Sequence, residues 1–585
     1  MQNNERKMKR GEILSRLFKY TSKYKGQYIL ALFFGFLAVI CELIGPLMLS
    51  KVVDELTDGS ITIKYIIEMT TIYLVVSVFI SQLFLFIERW MLVHIGQKIV
   101  YSIREDIFIH VLSLSHKEFT SIPTGKLVTR ITSDTLTLNE MFTKTLVNMI
   151  RDLITALVAI VIMVIVSAKM SLYILAFTPL LLVITYFFAR FSKNMYRHVR
   201  NAQTDMNTFL SESINGIRVI KAYSVEDKER KVFKEKNRRV LKTNILQMSV
   251  FAVFRPIIYS IYLVSVLVIL YFGGRDAIAG GISAAVIVAF YSYISYYYDP
   301  IVDLAELLNT FEDSLSSCEK IFVLLDIKPT IVNCGSKTLP SFSGKIEFRH
   351  VYFKYNKDSR YILEDVSFII NPGETIALVG PTGGGKSTII NLIERNYDIE
   401  KGEIFIDDIN ILDLDLNELR RNIGMMLQDV HLFSGSIMDN IRLFDDTITD
   451  NMCIEASKKV SAYDMIEGLS DGFNTTIYEN GMNLSQGQRQ LISFTRAMAA
   501  NPSMMILDEA TANIDTKTEA LIQEGILELE KGRTMIIVAH RLSTIKHASR
   551  IFVVNNGRIV EEGSHNDLMR VKGLYYNLYL SQYKD

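Results

Sequence analysis

The sequence predicts an all-α membrane domain with six spans, followed by a cytoplasmic α/β domain of the P-loop type. Two observations carry this prediction. Long apolar stretches of membrane-spanning length all lie before Asp303, and beyond the linker short β-branched runs alternate with helical patterns around a glycine-rich loop. We therefore expect a transmembrane domain over residues 1–325, a linker over 326–345 and a nucleotide-binding domain over 346–585.

The average composition hides this division. The 585 residues are 49% hydrophobic with a mean hydropathy of +0.22, although 63 basic and 63 acidic residues balance each other. Zero net charge argues against nucleic acid as a partner. The cysteines are spaced too widely for a zinc site or a disulfide framework; they are Cys41, Cys318, Cys334 and Cys453.

Six stretches are long enough to cross a bilayer, which requires about 20 apolar residues. So many in about 300 residues argue against the alternative of buried core helices in a soluble protein, since such a protein seldom repeats this length. The stretches are residues 28–50, 65–87, 147–167, 171–189, 249–272 and 279–302.

The distribution of Lys and Arg predicts the topology, because short cytoplasmic loops carry the positive excess. The N-terminal tail and the connections between spans 2 and 3 and spans 4 and 5 are rich in these residues. The other loops are short and poor in them. Both termini are therefore expected in the cytoplasm, with no signal peptide.

The two long cytoplasmic connections contain few Gly or Pro residues and are expected to continue the spans as helical stalks. Near the N-terminus, Ile13, Leu14, Leu17 and Phe18 alternate with basic residues. This pattern fits either a short helix in the inner membrane interface or a solvated tail.

A phosphate-binding loop follows the apolar strand Thr375 to Val379 and precedes a helix. It fits the pattern GxxxxGK[ST], in which glycines let successive backbone N–H groups surround phosphate. Lys386 would reach the β- and γ-phosphates and Ser387 would ligate Mg²⁺. The expected nucleotide-binding residues here are Gly380, Pro381, Thr382, Gly383, Gly384, Gly385, Lys386, Ser387 and Thr388.

A second apolar strand, Met504 to Leu507, ends in the adjacent carboxylates Asp508 and Glu509. Doubly wound sheets place their chemistry at the carboxyl ends of strands. We expect Asp508 to hold Mg²⁺ through its water shell and Glu509 to polarise the attacking water.

The segment Leu484-Ser485-Gln486-Gly487-Gln488 resembles the signature of ATP-binding cassette (ABC) transporters, usually LSGGQ. It departs from that pattern at Gln486 and keeps the serine and glycine. With six spans before one cassette, the chain resembles the exporter half-transporters of this family. The resemblance implies that the signature contacts the ATP of a partner cassette through Ser485, Gln486, Gly487 and Gln488.

Four more residues match family motifs in the family's order. Tyr355 matches the aromatic residue that stacks on adenine, and Gln428 matches the glutamine that senses Mg²⁺. Asp515 matches the D-loop aspartate, and His540 matches the switch histidine. The resemblance thus implies that Glu509, His540 and Gln428 are catalytic, with Mg²⁺ held by Ser387, Gln428 and Asp508.

The resemblance implies a homodimer or a heterodimer of half-transporters, with ATP and Mg²⁺ as cofactors. ATP would close the cassettes and hydrolysis would reset them, giving alternating access and export of an amphipathic or hydrophobic substrate. Drug, lipid and peptide substrates all remain open, and the location is expected to be a bacterial inner membrane. The alternative is an ATP-gated channel or a regulatory membrane ATPase of the same dimer architecture.

Ionisable and aromatic residues within the spans are candidate substrate contacts. Glu42 and Arg255 lie inside spans 1 and 5, although Arg255 could instead snorkel to the interface or pair with Glu88. Span 6 carries a tyrosine cluster, from which Tyr293 and Tyr297 are chosen as substrate residues. These tyrosines line a cavity or form an inner aromatic belt.

Overall fold

We describe the fold from a computed structural model of the chain. The described residues are 8–57, 62–333, 335, 337–339, 341–356, 358–426, 430–443, 445–478, 481–508, 516–538, 546 and 548–582. The chain divides into two compact units. The first comprises Met1–Ser113 and Ile122–Lys328, and the second comprises Leu114–Ser121 and Pro329–Asp585.

The first unit is helical throughout its described elements. Short π-helical segments join some of the helices without breaking them, at Leu74–Ile80, Arg130–Asp134 and Met141–Thr145. The α-helices are α1 Arg10–Ser22, α2 Lys25–Thr57, α3 Ile63–Tyr73, α4 Ser81–Ser113, α6 Thr124–Thr129, α7 Thr135–Glu140, α8 Leu146–Val166, α9 Ala168–Leu175, α10 Thr178–Asn215, α11 Ile217–Ala222, α12 Glu226–Ile278 and α13 Ala284–Leu325, with α5 His116–Ser121 belonging to the second unit.

Five helical stretches of the described chain are long and apolar enough to cross a membrane. They are Lys25–Leu56, Ile63–Ser113, Thr124–Val166, Ala168–Asn215 and Glu226–Ile278. The sixth predicted span lies in the long helix α13, which is not among these five. Its repeated tyrosines, Asp299 and Pro300 make it less apolar than the other spans.

The expected helical stalks are confirmed as helix. Helices α10 and α12 run without interruption for 38 and 53 residues, well beyond the length that a bilayer requires. Helix α1 is also present, so the N-terminal pattern forms a helix. Its Ile13 and Leu17 are buried, whereas Leu14 and Phe18 are exposed.

The second unit contains two principal sheets. The first is antiparallel, in the order β2-β1-β4-β5, and the second has the order β12-β11-β3-β10-β9-β6; β7 and β8 form a separate pair. The strands are β1 Ile346–Phe353, β2 Leu363–Ile370, β3 Thr375–Val379, β4 Lys401–Ile406, β5 Ile409–Asn410, β6 Ile423–Met426, β7 Gly435–Ser436, β8 Thr476–Ile477, β9 Met504–Asp508, β10 Thr534–Val538, β11 Arg550–Asn555 and β12 Arg558–Gly563.

The larger sheet confirms the predicted α/β class. Strands β11, β3, β10, β9 and β6 are mutually parallel, and only β12 among its described strands runs antiparallel to its neighbour. Strands β3 and β10 are fully buried, as expected for a sheet covered on both faces. The helices of this unit are α14 Lys386–Ile393, α15 Leu416–Arg421, α16 Ile437–Arg442, α17 Asp450–Lys459, α18 Tyr463–Glu467, α19 Gln486–Ala499, α20 Thr516–Glu530, α21 His565–Val571 and α22 Leu574–Gln582.

Candidate nucleotide-binding site

The glycine-rich loop connects the buried strand β3 to helix α14, as the sequence predicts. Three of its glycines have a backbone that other residues rarely adopt. Gly380 has φ 149°, Gly383 has φ 79° and Gly385 has φ 114°. A Cβ at Gly380 would lie 2.0 Å from the carbonyl oxygen of Val554, so the loop can pass β11 only if this position has no side chain.

Lys386 lies inside this loop. Its side chain is buried, and Nζ donates hydrogen bonds to the carbonyl oxygens of Gly380 at 2.7 Å and Pro381 at 3.0 Å. Pro381, Thr382 and Ser387 are exposed around it. The ammonium group therefore lies within the curve of the loop, and the Ser387 side chain is on its accessible side.

Tyr355 lies beside the same loop. Its hydroxyl is 3.0 Å from Oγ1 of Thr388, a buried residue in the first turn of α14. The Tyr355 ring makes perpendicular contacts with Phe353 and Tyr397, with ring centroids 5.0 and 5.1 Å apart. The sequence placed Tyr355 and the loop in one site from two separate motifs, and the fold brings them into contact.

Asp508 is the last residue of β9, at the carboxyl end of the parallel sheet. Asp508 pairs in register with Val538 of β10, and β10 pairs in turn with β3. Parallel strands end at the same sheet edge, so Asp508 and the phosphate loop lie at that edge one strand apart.

A buried carboxyl group near this edge was not predicted from the sequence. Glu394 follows α14 and is 8% exposed, and its Oε2 accepts a hydrogen bond of 2.6 Å from Nδ2 of Asn396. Burial raises the pKa of Glu394 to about 7; the negative charge of Asp508 raises it too, whereas Asn396 and Arg420 oppose the change. The available signal was a glutamate that directly follows the apolar residues Leu392 and Ile393 at the end of α14.

The signature segment forms the start of α19. Ser485 is the N-cap: its Oγ accepts a hydrogen bond from the Gln488 backbone N–H at 3.2 Å, and Gln488 Oε1 accepts one from the Ser485 N–H at 2.8 Å. This capping box fixes the first turn of the helix. Ser485 and Gln486 are exposed, whereas Gly487 is buried. The signature is thus presented at an exposed helix N-terminus, which favours anions.

Four predicted site residues lie outside the described residues. They are Gln428, Glu509, Asp515 and His540. Their assignments remain those of the sequence motifs.

The donor set suits Mg²⁺ held mainly by phosphate. No group of three or more His, Cys, Asp or Glu side chains that could hold a metal ion occurs among the described residues. Mg²⁺ in nucleotide sites keeps several waters and takes one or two protein oxygens beside the phosphates. The exposed Ser387 hydroxyl and the partly exposed Asp508 carboxylate provide such oxygens.

Comparisons with known proteins identify the family. The profile of the ABC transporter transmembrane region matches residues 28–301, and the ABC transporter profile matches residues 363–512. YfiC of Bacillus subtilis, described as an uncharacterized ABC transporter ATP-binding protein, is 34% identical over 98% of this chain and 94% of its own length. The chain belongs to the ABC transporter family.

Two further comparisons agree with this family and with the fold. YheH of Bacillus subtilis, described as a probable multidrug resistance ABC transporter ATP-binding/permease protein, is 34% identical over 85% of this chain and 74% of its own length. A solved bacterial Atm1-family ABC exporter with ATP bound has the same fold, with a TM-score of 0.79 at 24% identity; the match covers 96% of this chain and 98% of that one. This ABC transporter is therefore an integral multi-pass membrane protein that binds ATP and hydrolyses it to drive transport. Its half-transporter fold implies dimerisation.

The membrane unit of the transporter contains two cavities next to predicted substrate residues. The first, of about 450 Å³, is lined by Glu42, Tyr73 and Tyr296 among others, and we call it the Glu42 cavity. The second, of about 770 Å³, is lined by Arg255 and Tyr291 among others, and we call it the Arg255 cavity. Both volumes are in the range of small-molecule sites.

The two tyrosines chosen from the sequence are packed between helices. Tyr293 and Tyr297 are 0% and 3% exposed and are not among the residues that line these cavities. The Tyr293 hydroxyl donates to the carbonyl oxygen of Leu43 at 2.6 Å, and the Tyr297 hydroxyl is 2.9 Å from Thr178 Oγ1. Both hydroxyls thus join α13 to a neighbouring helix. By contrast, Tyr291 lines the Arg255 cavity and Tyr296 lines the Glu42 cavity.

Arg255 does not pair with Glu88. Its Nη2 lies 3.3 Å from Oε1 of Glu306 on α13, and its side chain is 67% exposed. Glu88 is instead buried against Gly35, where a Cβ would lie 2.4 Å from its Oε1. Arg255 thus reaches an acidic stretch in the middle of α13, where it joins Asp299 and Asp303 in the wall of the Arg255 cavity.

Proposed function

We propose that the chain is one half of a dimeric exporter that uses ATP to move an amphipathic or hydrophobic substrate by alternating access. The observation that carries the proposal is the separation of two phosphate-binding surfaces in one cassette. The phosphate loop lies after β3 and the signature caps α19, and each presents exposed groups. In the proposed dimer each loop faces the signature of the other chain.

The proposed roles follow from the chemistry of each group. Tyr355 stacks on adenine, and Lys386 neutralises the β- and γ-phosphates. Ser387, Asp508 and Gln428 would hold Mg²⁺, and the bound ion would draw charge from the phosphate oxygens. Glu509 orients and polarises the attacking water, and His540 stabilises charge near the γ-phosphate. Ser485, Gln486, Gly487, Gln488 and Asp515 complete the site of the partner.

ATP drives the cycle by binding the closed dimer better than the open one. The population shifts toward closure when ATP is bound and returns after hydrolysis. We propose that the membrane unit then alternates between inward and outward access in a bacterial inner membrane, with both termini in the cytoplasm.

The cavities support an amphipathic substrate. Apolar and tyrosine side chains surround Glu42 in one cavity, and Tyr259, Tyr262 and Tyr291 accompany the charged residues of the other. Tyrosine offers an apolar ring and a polar hydroxyl in the same contact. The description of YheH as a multidrug resistance transporter is consistent with such a substrate.

The test is ATPase activity and transport of the purified chain reconstituted in vesicles, with a panel of lipids, peptides and hydrophobic cations. Tyr296→Ala and Tyr291→Ala should weaken stimulation by the active compound severalfold. Tyr271→Ala, which removes an exposed tyrosine of α12 outside both cavities, is the matched control. Unchanged stimulation in both cavity variants would overturn the substrate site.

Glu509→Gln tests the catalytic assignment. The variant should keep ATP affinity and lose nearly all turnover, whereas Lys386→Ala should lose affinity as well. Undiminished ATPase activity in Glu509→Gln would contradict the assignment. Ion current through the vesicles without uphill accumulation would instead favour a gated channel.

A further inference from the structure

Helix α5 belongs to the cassette unit although it lies between α4 and α6 of the membrane unit in sequence. Just before it, Ser115 Oγ accepts a hydrogen bond of 2.9 Å from the Ile331 N–H and lies 3.3 Å from the Ile331 carbonyl oxygen. Glu118 Oε1 accepts a hydrogen bond from the Thr330 hydroxyl. These contacts fix α5 to the segment that begins the second unit.

Tyr397 joins α5 to the nucleotide site. It lies four residues beyond the end of α14, and its ring contacts His116 of α5 with the centroids 5.8 Å apart at 80°. Its hydroxyl lies near the Thr120 side chain. On the other side, the same ring contacts Tyr355 at 5.1 Å and 84°, and Phe353 at 5.7 Å.

Tyr355 is therefore held at two points. Thr388 contacts its hydroxyl, and Tyr397 contacts its ring. Base stacking needs the Tyr355 ring in one orientation before ATP arrives, since ordering it during binding lowers affinity. Phe353 is a buried residue of β1, but Tyr397 is only partly buried and also contacts α5. The orientation of Tyr355 thus depends on helix α5, which lies outside residues 346–585 in sequence.

We propose that Tyr397 is a positioning residue for the nucleobase, which transmits the docking of helix α5 to Tyr355 and so sets the affinity for ATP. The inference rests on the proposed stacking of Tyr355 on adenine. Because linkage is reciprocal, ATP bound on Tyr355 stabilises the docked α5 by the same factor.

The contacts set the size of the effect. An aromatic pair contributes about 0.5–1.5 kcal/mol beyond its buried area, which is about a twofold to tenfold change in affinity. Tyr397→Leu should raise the Kd for ATP by that factor, and His116→Ala should raise it about twofold or more. Tyr397→Phe, which keeps the ring contacts and loses the hydroxyl, should remain near wild type.

The experiment measures binding of ATP and of inorganic tripolyphosphate, both with Mg²⁺, to the full-length protein. Tripolyphosphate has phosphates but no base. Tyr397→Leu and His116→Ala should weaken ATP binding and leave tripolyphosphate binding unchanged, because only the base contacts Tyr355. Lys117→Ala, an exposed neighbour on α5, is the control and should change neither.

The double variant His116→Ala with Tyr397→Leu should be no weaker for ATP than Tyr397→Leu alone, since both act through one contact. Equal loss of both ligands in Tyr397→Leu would show a merely structural role and overturn the proposal. Additive losses in the double variant would also overturn it. Tyr355→Leu distinguishes the stacking of adenine on Tyr355 from the positioning role of Tyr397. If Tyr355→Leu leaves ATP affinity unchanged, adenine stacking itself is refuted. If Tyr355→Leu weakens ATP binding but Tyr397→Leu does not, only the role of Tyr397 is refuted.

Discussion

Replacing Glu394 by Gln should stabilise the cassette unit in a pH-dependent manner. The carboxyl is 8% exposed, and burial together with the charge of Asp508 raises its pKa from 4.5 to about 7. Glutamine has nearly the same shape and can still accept the hydrogen bond from Asn396 through its amide oxygen. The substitution therefore removes the charge and preserves the packing.

The sign follows from the raised pKa. Below pH 4.5 both the folded and the unfolded chain carry the proton, so the carboxyl costs nothing. Between pH 4.5 and 7 the unfolded chain ionises first, and the fold loses stability as pH rises. Above pH 7 the full cost is present, and the difference between 4.5 and about 7 corresponds to about 3 kcal/mol. Glutamine carries none of this cost.

Calorimetry of the full-length protein in detergent tests this prediction. The relevant transition is the one that shifts upward when ATP is added, because ATP stabilises only the folded cassette. At 2–4 °C per kcal/mol for a domain of this size, the Glu394→Gln variant should melt about 6–12 °C above wild type at pH 8 and no more than about 3 °C above it at pH 5. Glu455→Gln, on the exposed face of α17, is the control. A melting difference that is the same at both pH values would refute the reasoning.

Substitutions at three other positions test separate parts of the structure. Gly380→Ala should reduce ATP affinity more than tenfold in a binding assay, because the new Cβ would lie 2.0 Å from the Val554 carbonyl oxygen; wild-type affinity would contradict the loop geometry. Ser485→Asp should keep the melting temperature, since aspartate also caps helices, but it should lower ATPase activity by placing a negative charge where phosphate is expected. Ser485→Ala should instead lower the free energy of unfolding by about 1 kcal/mol. Tyr293→Phe should lower the melting temperature by a few degrees through loss of the bond to Leu43, with unchanged substrate stimulation of ATPase activity; a selective loss of stimulation would instead place Tyr293 in a substrate site.

Local patterns were sufficient for the elements of the nucleotide site. The strand before Gly380 and the helix after it follow from an apolar run that ends in glycines, and the fold class follows from the alternation of strands and helices. The antiparallel sheet of β1, β2, β4 and β5 was not predicted. Its pairings join strands across intervening segments, and a single sequence carries no direct signal for such pairings.

In the membrane half, the sequence did not predict which tyrosines border a cavity or which residue pairs with Arg255. Tyr293 and Tyr297 are four residues apart and share a helix face, while Tyr291 and Tyr296 lie on other faces. In a soluble helix the polar face would show which tyrosines are exposed. A membrane helix is apolar all round, so the sequence does not distinguish the face that packs on Leu43 from the face that borders a cavity. The partner of Arg255 was missed for a related reason, because Glu306 is on a different helix.

The place of helix α5 shows that the linear boundary of the cassette differs from its physical boundary. A fragment that starts at Pro329 would contain every strand of the two principal sheets but would lack α5. Such a fragment would expose the Tyr397 surface that His116 and Thr120 contact in the intact chain. Nucleotide affinities measured on the excised cassette would then describe a different protein surface. Fusing α5 back to the fragment through a flexible linker would restore the missing contact without the membrane domain.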